Sequence, residues 1–108
     1  MERISYVLRI EPHQYDEYVK RHEAVYPDLL QTFRDVGIHT YSIFFHEGLL
    51  FAYMEVEDYK KAMATLGADP ANKRWQQFMS DMLIPWENGS MTKDLPEVFY
   101  FSNKTEDV

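Results

Sequence analysis

Three segments of this chain, Tyr41-Ser42-Ile43-Phe44-Phe45, Leu49-Leu50-Phe51-Ala52-Tyr53-Met54 and Val98-Phe99-Tyr100-Phe101, are apolar or aromatic at almost every position. A strand sends successive side chains to opposite faces, so a sheet made from such segments is apolar on both faces. A sheet with one face in water alternates more cleanly. The chain has 108 residues, enough for one domain with a real core. Something must cover the second face, and sheet-to-sheet packing of two copies is the simplest answer. The sequence therefore predicts a homodimer through the sheet face.

The remaining elements follow from periodicity and punctuation. Ile4, Tyr6, Leu8 and Ile10 alternate with Ser5, Val7 and Arg9, which predicts a first strand over Arg3 to Ile10. Pro12 marks a turn into a helix with Tyr15, Tyr18, Val19 and His22 on one face. Pro27 breaks that helix and restarts it, and Gly37 is suited to the residue just past its end. Strands over Thr40–Phe45 and Leu49–Glu57 are joined by a turn at His46-Glu47-Gly48. Asp58 caps a short helix through Leu66 closed by Gly67. Asp69-Pro70 then starts another helix that runs to about Leu83. A loop follows, and the last strand is expected at Val98–Phe101. The order is β-α-β-β-α-β with the second helical region split. That is a ferredoxin-like α+β fold with an antiparallel sheet. We take residues 1–103 as a single domain and 104–108 as a polar C-terminal tail.

Composition excludes several classes of function. The net charge of −7 argues against a nucleic-acid partner, and the basic residues form no stripe. The chain has no cysteine, which removes disulfides, thiolate metal sites and a Cys nucleophile. No stretch approaches the length of a membrane helix and no signal peptide opens the chain, so a cytoplasmic protein without a membrane partner is expected. The four histidines, His13, His22, His39 and His46, lie in separate elements, so no metal site is expected. There is no phosphate-binding loop and no nucleophile-elbow motif.

His22 is the first candidate for chemistry. It follows Tyr18 by four residues, which brings both side chains to one helix face, and an imidazole can take and give a proton near neutral pH. A lone histidine carries little specificity, and a half-buried structural role fits the residue equally. Tyr41, Trp75 and Trp86 are aromatics suited to a sugar, whose C–H faces pack on rings and whose oxygens meet polar tips. Trp75 also fits a plain core position with Phe78 and Met79, and Tyr41 shares its face with Ile43 and Phe45.

Together these segments resemble the L-rhamnose mutarotase family over nearly the whole chain. The resemblance rests on Tyr18-Val19-Lys20-Arg21-His22, Val25-Tyr26-Pro27-Asp28-Leu29, Gly37-Ile38-His39-Thr40-Tyr41-Ser42-Ile43, the stretch from Leu50 to Glu57, Arg74-Trp75 and Leu95-Pro96-Glu97-Val98-Phe99-Tyr100. No single motif is diagnostic, but several in order at compatible spacing are specific. The family is similar in fold to the dimeric α+β barrels, in which two ferredoxin-like sheets face each other. The resemblance implies that His22 is the proton donor and that Tyr18 and Tyr41 contact the sugar. The family's paired tryptophans fall on Trp75 and Gln76, so here the second ring is replaced by an amide. Tyr26 stands where the family usually has Trp, and Thr40 where it often has Asn.

The implied reaction interconverts the α and β anomers of L-rhamnose, or of a similar 6-deoxy sugar such as L-fucose, by opening and reclosing the ring. It needs acid and base groups and no cofactor. On the resemblance His22 protonates the ring oxygen, Tyr18 and Tyr41 orient hydroxyls, and Trp75 with Gln76 walls the pocket. The base is open among a tyrosine, a carboxylate and water. A cofactor-free monooxygenase or isomerase of the same barrel plan is an alternative, because fold does not fix chemistry. A non-catalytic sugar-binding module is another.

Overall fold

The computed structural model describes residues 1–103; the expected tail at 104–108 lies outside the described residues. Its elements are β1 (Glu2–Arg9), α1 (Tyr15–His22), α2 (Pro27–Asp35), β2 (Ile38–His46), β3 (Leu49–Val56), α3 (Tyr59–Ala68), α4 (Pro70–Met79) and β4 (Lys93–Leu95). The four strands form one sheet in the order β2-β3-β1-β4, with each neighbouring pair antiparallel. This is the ferredoxin-like α+β arrangement read from the sequence.

Local chemistry explains most boundaries. Pro27 opens α2, where its missing N–H costs nothing, and Gly37 follows the helix with φ +86°. Asp58 and Asp69 cap α3 and α4 by accepting from the Lys61 and Asn72 amides at 3.2 and 2.9 Å. Glu47 and Gly48 both have positive φ, 49° and 89°, as a two-residue turn between His46 and Leu49 requires. Two helix ends differ from expectation. Gly67 lies within α3, which runs on to Ala68, and α4 stops at Met79 rather than near Leu83. At that end the Ser80 hydroxyl donates to the Gln77 carbonyl at 2.7 Å, competing for a group the helix would need to continue.

The last strand is a correction. It was expected at Val98–Phe101 and lies at Lys93–Leu95, paired with Ser5–Val7 of β1. Extending that register brings Glu97 opposite Arg3, and the two side chains do meet, in a paired contact at 2.8 and 2.9 Å. Val98 then falls opposite Glu2, the first residue of β1, so Phe99 onward runs past the end of its partner. Pro96, which has no N–H, also interrupts the ladder. Val98 and Phe99 are 94% and 81% exposed.

The helices cover one face of the sheet. Leu50, Met54 and Val56 of β3 are buried there with Leu29 of α2, Ala62 and Leu66 of α3, and Trp75 and Met79 of α4. The cross-strand register adds Ile4, Tyr6 and Leu8 of β1 and Tyr41, Ile43 and Phe45 of β2 to this face. A β-bulge between Ile38 and Thr40 lets Ile38 and Tyr41 share a face, which strict alternation would forbid. The opposite face carries Val7, Phe44, Leu49, Phe51 and Tyr53, with Phe44 67% exposed. The same face also carries Arg3, Ser5 and Arg9 of β1, Thr40, Ser42 and His46 of β2 and Glu55 of β3. It therefore holds an apolar strip among polar residues and is less apolar than the sequence reading expected.

Candidate functional site

The helices do not seal onto the sheet along their whole length. Between them lies an open cavity of about 1050 Å³. Its walls include Tyr6 from β1, Tyr18 and His22 from α1, Tyr41 from β2, and Trp75 and Gln76 from α4. All five residues expected at the site, His22, Tyr18, Tyr41, Trp75 and Gln76, line this one space. They come from three elements, so no single segment of the chain carries the site.

His22 is the best-defined of them. Its ring stacks on Tyr18 with centroids 4.2 Å apart, and Trp75 lies perpendicular to it at 5.2 Å. Nδ1 is 2.9 Å from the Tyr18 carbonyl oxygen. A carbonyl can only accept, so Nδ1 carries the hydrogen and Nε2 holds the lone pair when the ring is neutral. Burial pushes the His22 pKa below its ordinary value of 6.5, outweighing the Tyr18 carbonyl, which favours the charged ring. Near neutral pH the side chain therefore offers a bare Nε2, ready to take a proton.

Trp75 is buried in a nest of rings, with Tyr26 edge-on at 5.3 Å and Phe78 at 5.8 Å. It is both core residue and cavity wall. Gln76 sits at the rim, where its amide nitrogen donates to the Asn72 side chain at 3.4 Å. The Tyr18 hydroxyl is pushed well above the usual tyrosine range by burial, and so is that of Tyr41. Both stay protonated and act as hydrogen-bonding groups.

Sequence reasoning missed Tyr6, whose hydroxyl is hydrogen-bonded directly to that of Tyr41. Tyr6 and Tyr41 stand on strands either side of β3, where Ala52 and Met54 are the facing residues. Between them the small Ala52 side chain leaves room for the two hydroxyls to meet across β3. The alternation of β1 had already put Tyr6 on the face of Ile4 and Leu8. The strand order that brings it to Tyr41 is not written in local pattern. Trp86, by contrast, is not at the site: its indole donates to the Val7 carbonyl at 3.1 Å, and Arg9 and Lys93 lie over its ring.

The other histidines stand apart, His39 against Glu57 at 2.7 Å and His46 near Glu47 at 3.7 Å. Among the described residues no group of three His, Cys, Asp or Glu side chains is gathered to hold a metal ion, and no helix is long and apolar enough to cross a membrane.

Comparison with known proteins identifies the family. A family model described as L-rhamnose mutarotase matches residues 3–101. An L-rhamnose mutarotase of Ligilactobacillus salivarius is 36% identical over 104 residues, covering 91% of this chain and 95% of that one. One of Listeria monocytogenes is 34% identical, covering 94% of this chain and all of the relative. The crystal structure of an L-rhamnose mutarotase from Formosa agariphila superposes with a TM-score of 0.81 at 30% identity, over 94% of this chain and all of that chain. Tetracenomycin F2 cyclase from Streptomyces glaucescens, 17% identical with a TM-score of 0.63 over 96% of this chain and 99% of that one, shares the fold alone.

Proposed function

The chain belongs to the L-rhamnose mutarotase family, and from that premise we propose that it interconverts the α and β anomers of L-rhamnose, with His22 as its acid–base residue. The observation that carries this reading is the His22 ring, fixed through Nδ1 to the Tyr18 carbonyl with Nε2 unprotonated in a cavity walled by aromatic rings and hydroxyls.

Mutarotation needs a base at the anomeric hydroxyl and an acid at the ring oxygen. Where the family resemblance implies protonation of the ring oxygen, we assign His22 to the anomeric oxygen instead, supported by the tautomer, whose bare Nε2 can take a proton. On opening, Nε2 takes the anomeric proton, the O–H electron pair becomes the second bond of the aldehyde, and the bond from C1 to the ring oxygen breaks. On closing at the other face of the aldehyde, the imidazolium returns the proton to that oxygen. His22 is thus a proton donor in the second half of the cycle. Tyr18 and Tyr41 offer hydroxyls to the sugar, and Trp75 offers an apolar ring to its C–H face. Gln76, an amide where a second ring is usual, adds a hydrogen-bonding group. It favours one second reading, that another 6-deoxy sugar such as L-fucose is also accepted.

We further propose that the working form is a homodimer joined through the outer sheet face. Support comes from the exposed Phe44 and from the apolar run Val98–Phe101 beyond the last strand, where Val98, Phe99 and Phe101 are mostly exposed. A cytoplasmic location would suit a dimer of this kind acting on a free monosaccharide.

The test is proton NMR saturation transfer between anomers of L-rhamnose, L-fucose and D-glucose, at catalytic protein concentration. Faster exchange of L-rhamnose is expected, and no acceleration of any of the three would overturn the activity.

A further inference from the structure

The Tyr6–Tyr41 hydroxyl pair joins two side chains on opposite flanks of β3, and it faces the same cavity as His22. Tyr41 is 36% exposed, and Tyr6 is the more enclosed of the two. A hydroxyl pair shares one hydrogen and leaves the other free. With the enclosed Tyr6 donating to the Tyr41 oxygen, the Tyr41 hydrogen is left for whatever fills the cavity. Such a donated bond makes Tyr41 the better donor in turn, because linked hydrogen bonds polarise one another.

A pyranose has one oxygen that carries no hydrogen, the ring oxygen, and it can only accept. We infer that Tyr41 serves the ring oxygen of the sugar as proton donor and that Tyr6 is the positioning residue that orients and strengthens it. This rests on the mutarotase reading above and supplies the acid that His22, acting at the anomeric oxygen, leaves unfilled. As the C1–ring oxygen bond breaks, its electron pair goes to the ring oxygen, which takes the Tyr41 proton. The phenolate oxygen left on Tyr41 is held by the Tyr6 hydrogen bond. Reclosure returns that proton to Tyr41, so the pair ends as it began. Burial of both hydroxyls raises their pKa values, and the bond from Tyr6 works the other way on Tyr41. That opposing effect is in the direction a donor at Tyr41 needs.

The experiment is a double-mutant cycle of Tyr6→Phe and Tyr41→Phe, read by anomer-exchange NMR on L-rhamnose with kcat and KM resolved. Both changes keep the ring and remove only an oxygen, and thermal melting of each variant reports folding. Tyr6→Phe should lower kcat about tenfold, the worth of one hydrogen bond to a developing charge, while KM moves by less than about threefold. Tyr41→Phe should lower kcat further, and the double variant should be no slower than Tyr41→Phe alone. A merely structural role for Tyr6 would reduce the rate by the same factor in the Tyr41→Phe background, and that additivity would overturn the inference. So would a Tyr6→Phe protein with wild-type kcat. Wild-type protein is measured alongside: acceleration by it with either of those results rejects the hydroxyl pair and leaves the mutarotase reading standing. Failure of wild type to accelerate exchange removes both.

Discussion

His22 owes its proton state to two neighbours in the fold, the carbonyl that holds Nδ1 and the apolar packing that disfavours charge. Acting as a base it works in the neutral form, so kcat/KM should rise with pH through an inflection below 6.5 and then level off. A profile that falls with pH over the same range would put His22 back at the ring oxygen as an acid. The same shift acts on stability: between the lowered folded pKa and 6.5 the unfolded chain binds more protons, so this residue makes stability increase with pH across that window. Replacing it by Asn retains a donor for the Tyr18 carbonyl and removes the titrating nitrogen. His22→Asn should cost about 10²–10⁴-fold in catalysed exchange with little change in melting temperature. At Gln76, substitution by Trp restores a stacking surface at the rim and should lower KM for L-rhamnose by about two- to tenfold. The residues that matter most at this scale were visible in the sequence because they sit in short ordered motifs. Tyr6 was not, since its meaning depends on a partner 35 positions away.

Among the elements, turns and caps were legible wherever one residue type is forced by geometry. The turn at Glu47-Gly48 is the clearest. A Cβ at Gly48 would come within 2.8 Å of the Ile10 carbonyl oxygen, and φ is +89°. Gly48→Ala should destabilise the fold by about 2–3 kcal/mol, read as a lower urea midpoint at unchanged slope. Asp69 caps α4 and also accepts from the Thr32 hydroxyl of α2 at 3.2 Å, tying two helices together. Asp69→Ala should cost about 1 kcal/mol or somewhat more. The last strand was misplaced for a physical reason. Val98–Phe101 has the composition of a strand, but pairing needs a partner of matching length, and β1 begins at Glu2. Composition reports what a segment prefers to bury, and register decides what lies beside it. The bulge at Ile38–Thr40 was invisible for the same reason, though Tyr41 reaches the cavity face together with Ile38 only because of it.

At the level of the whole molecule, the sheet divides labour between its faces, one walling the cavity and the other turning an apolar strip outward. Analytical ultracentrifugation should give twice the 12.9 kDa chain mass. Phe44→Glu, a charge set into the apolar strip that Phe44 shares with Val7 and Phe51, should shift the equilibrium to monomer. If wild type sediments as a monomer at all concentrations, the exposed apolar strip around Phe44 needs another explanation. The cavity has a consequence of its own. It is a gap in the interior, set between the layers instead of in a surface loop. On the proposed function, a sugar bound there would add packing between α1 and the sheet, so that recognition would contribute to the stability of the fold. A matching sugar should raise the melting temperature as its concentration passes its dissociation constant. It should also slow amide exchange in α1 before the far strands register its presence.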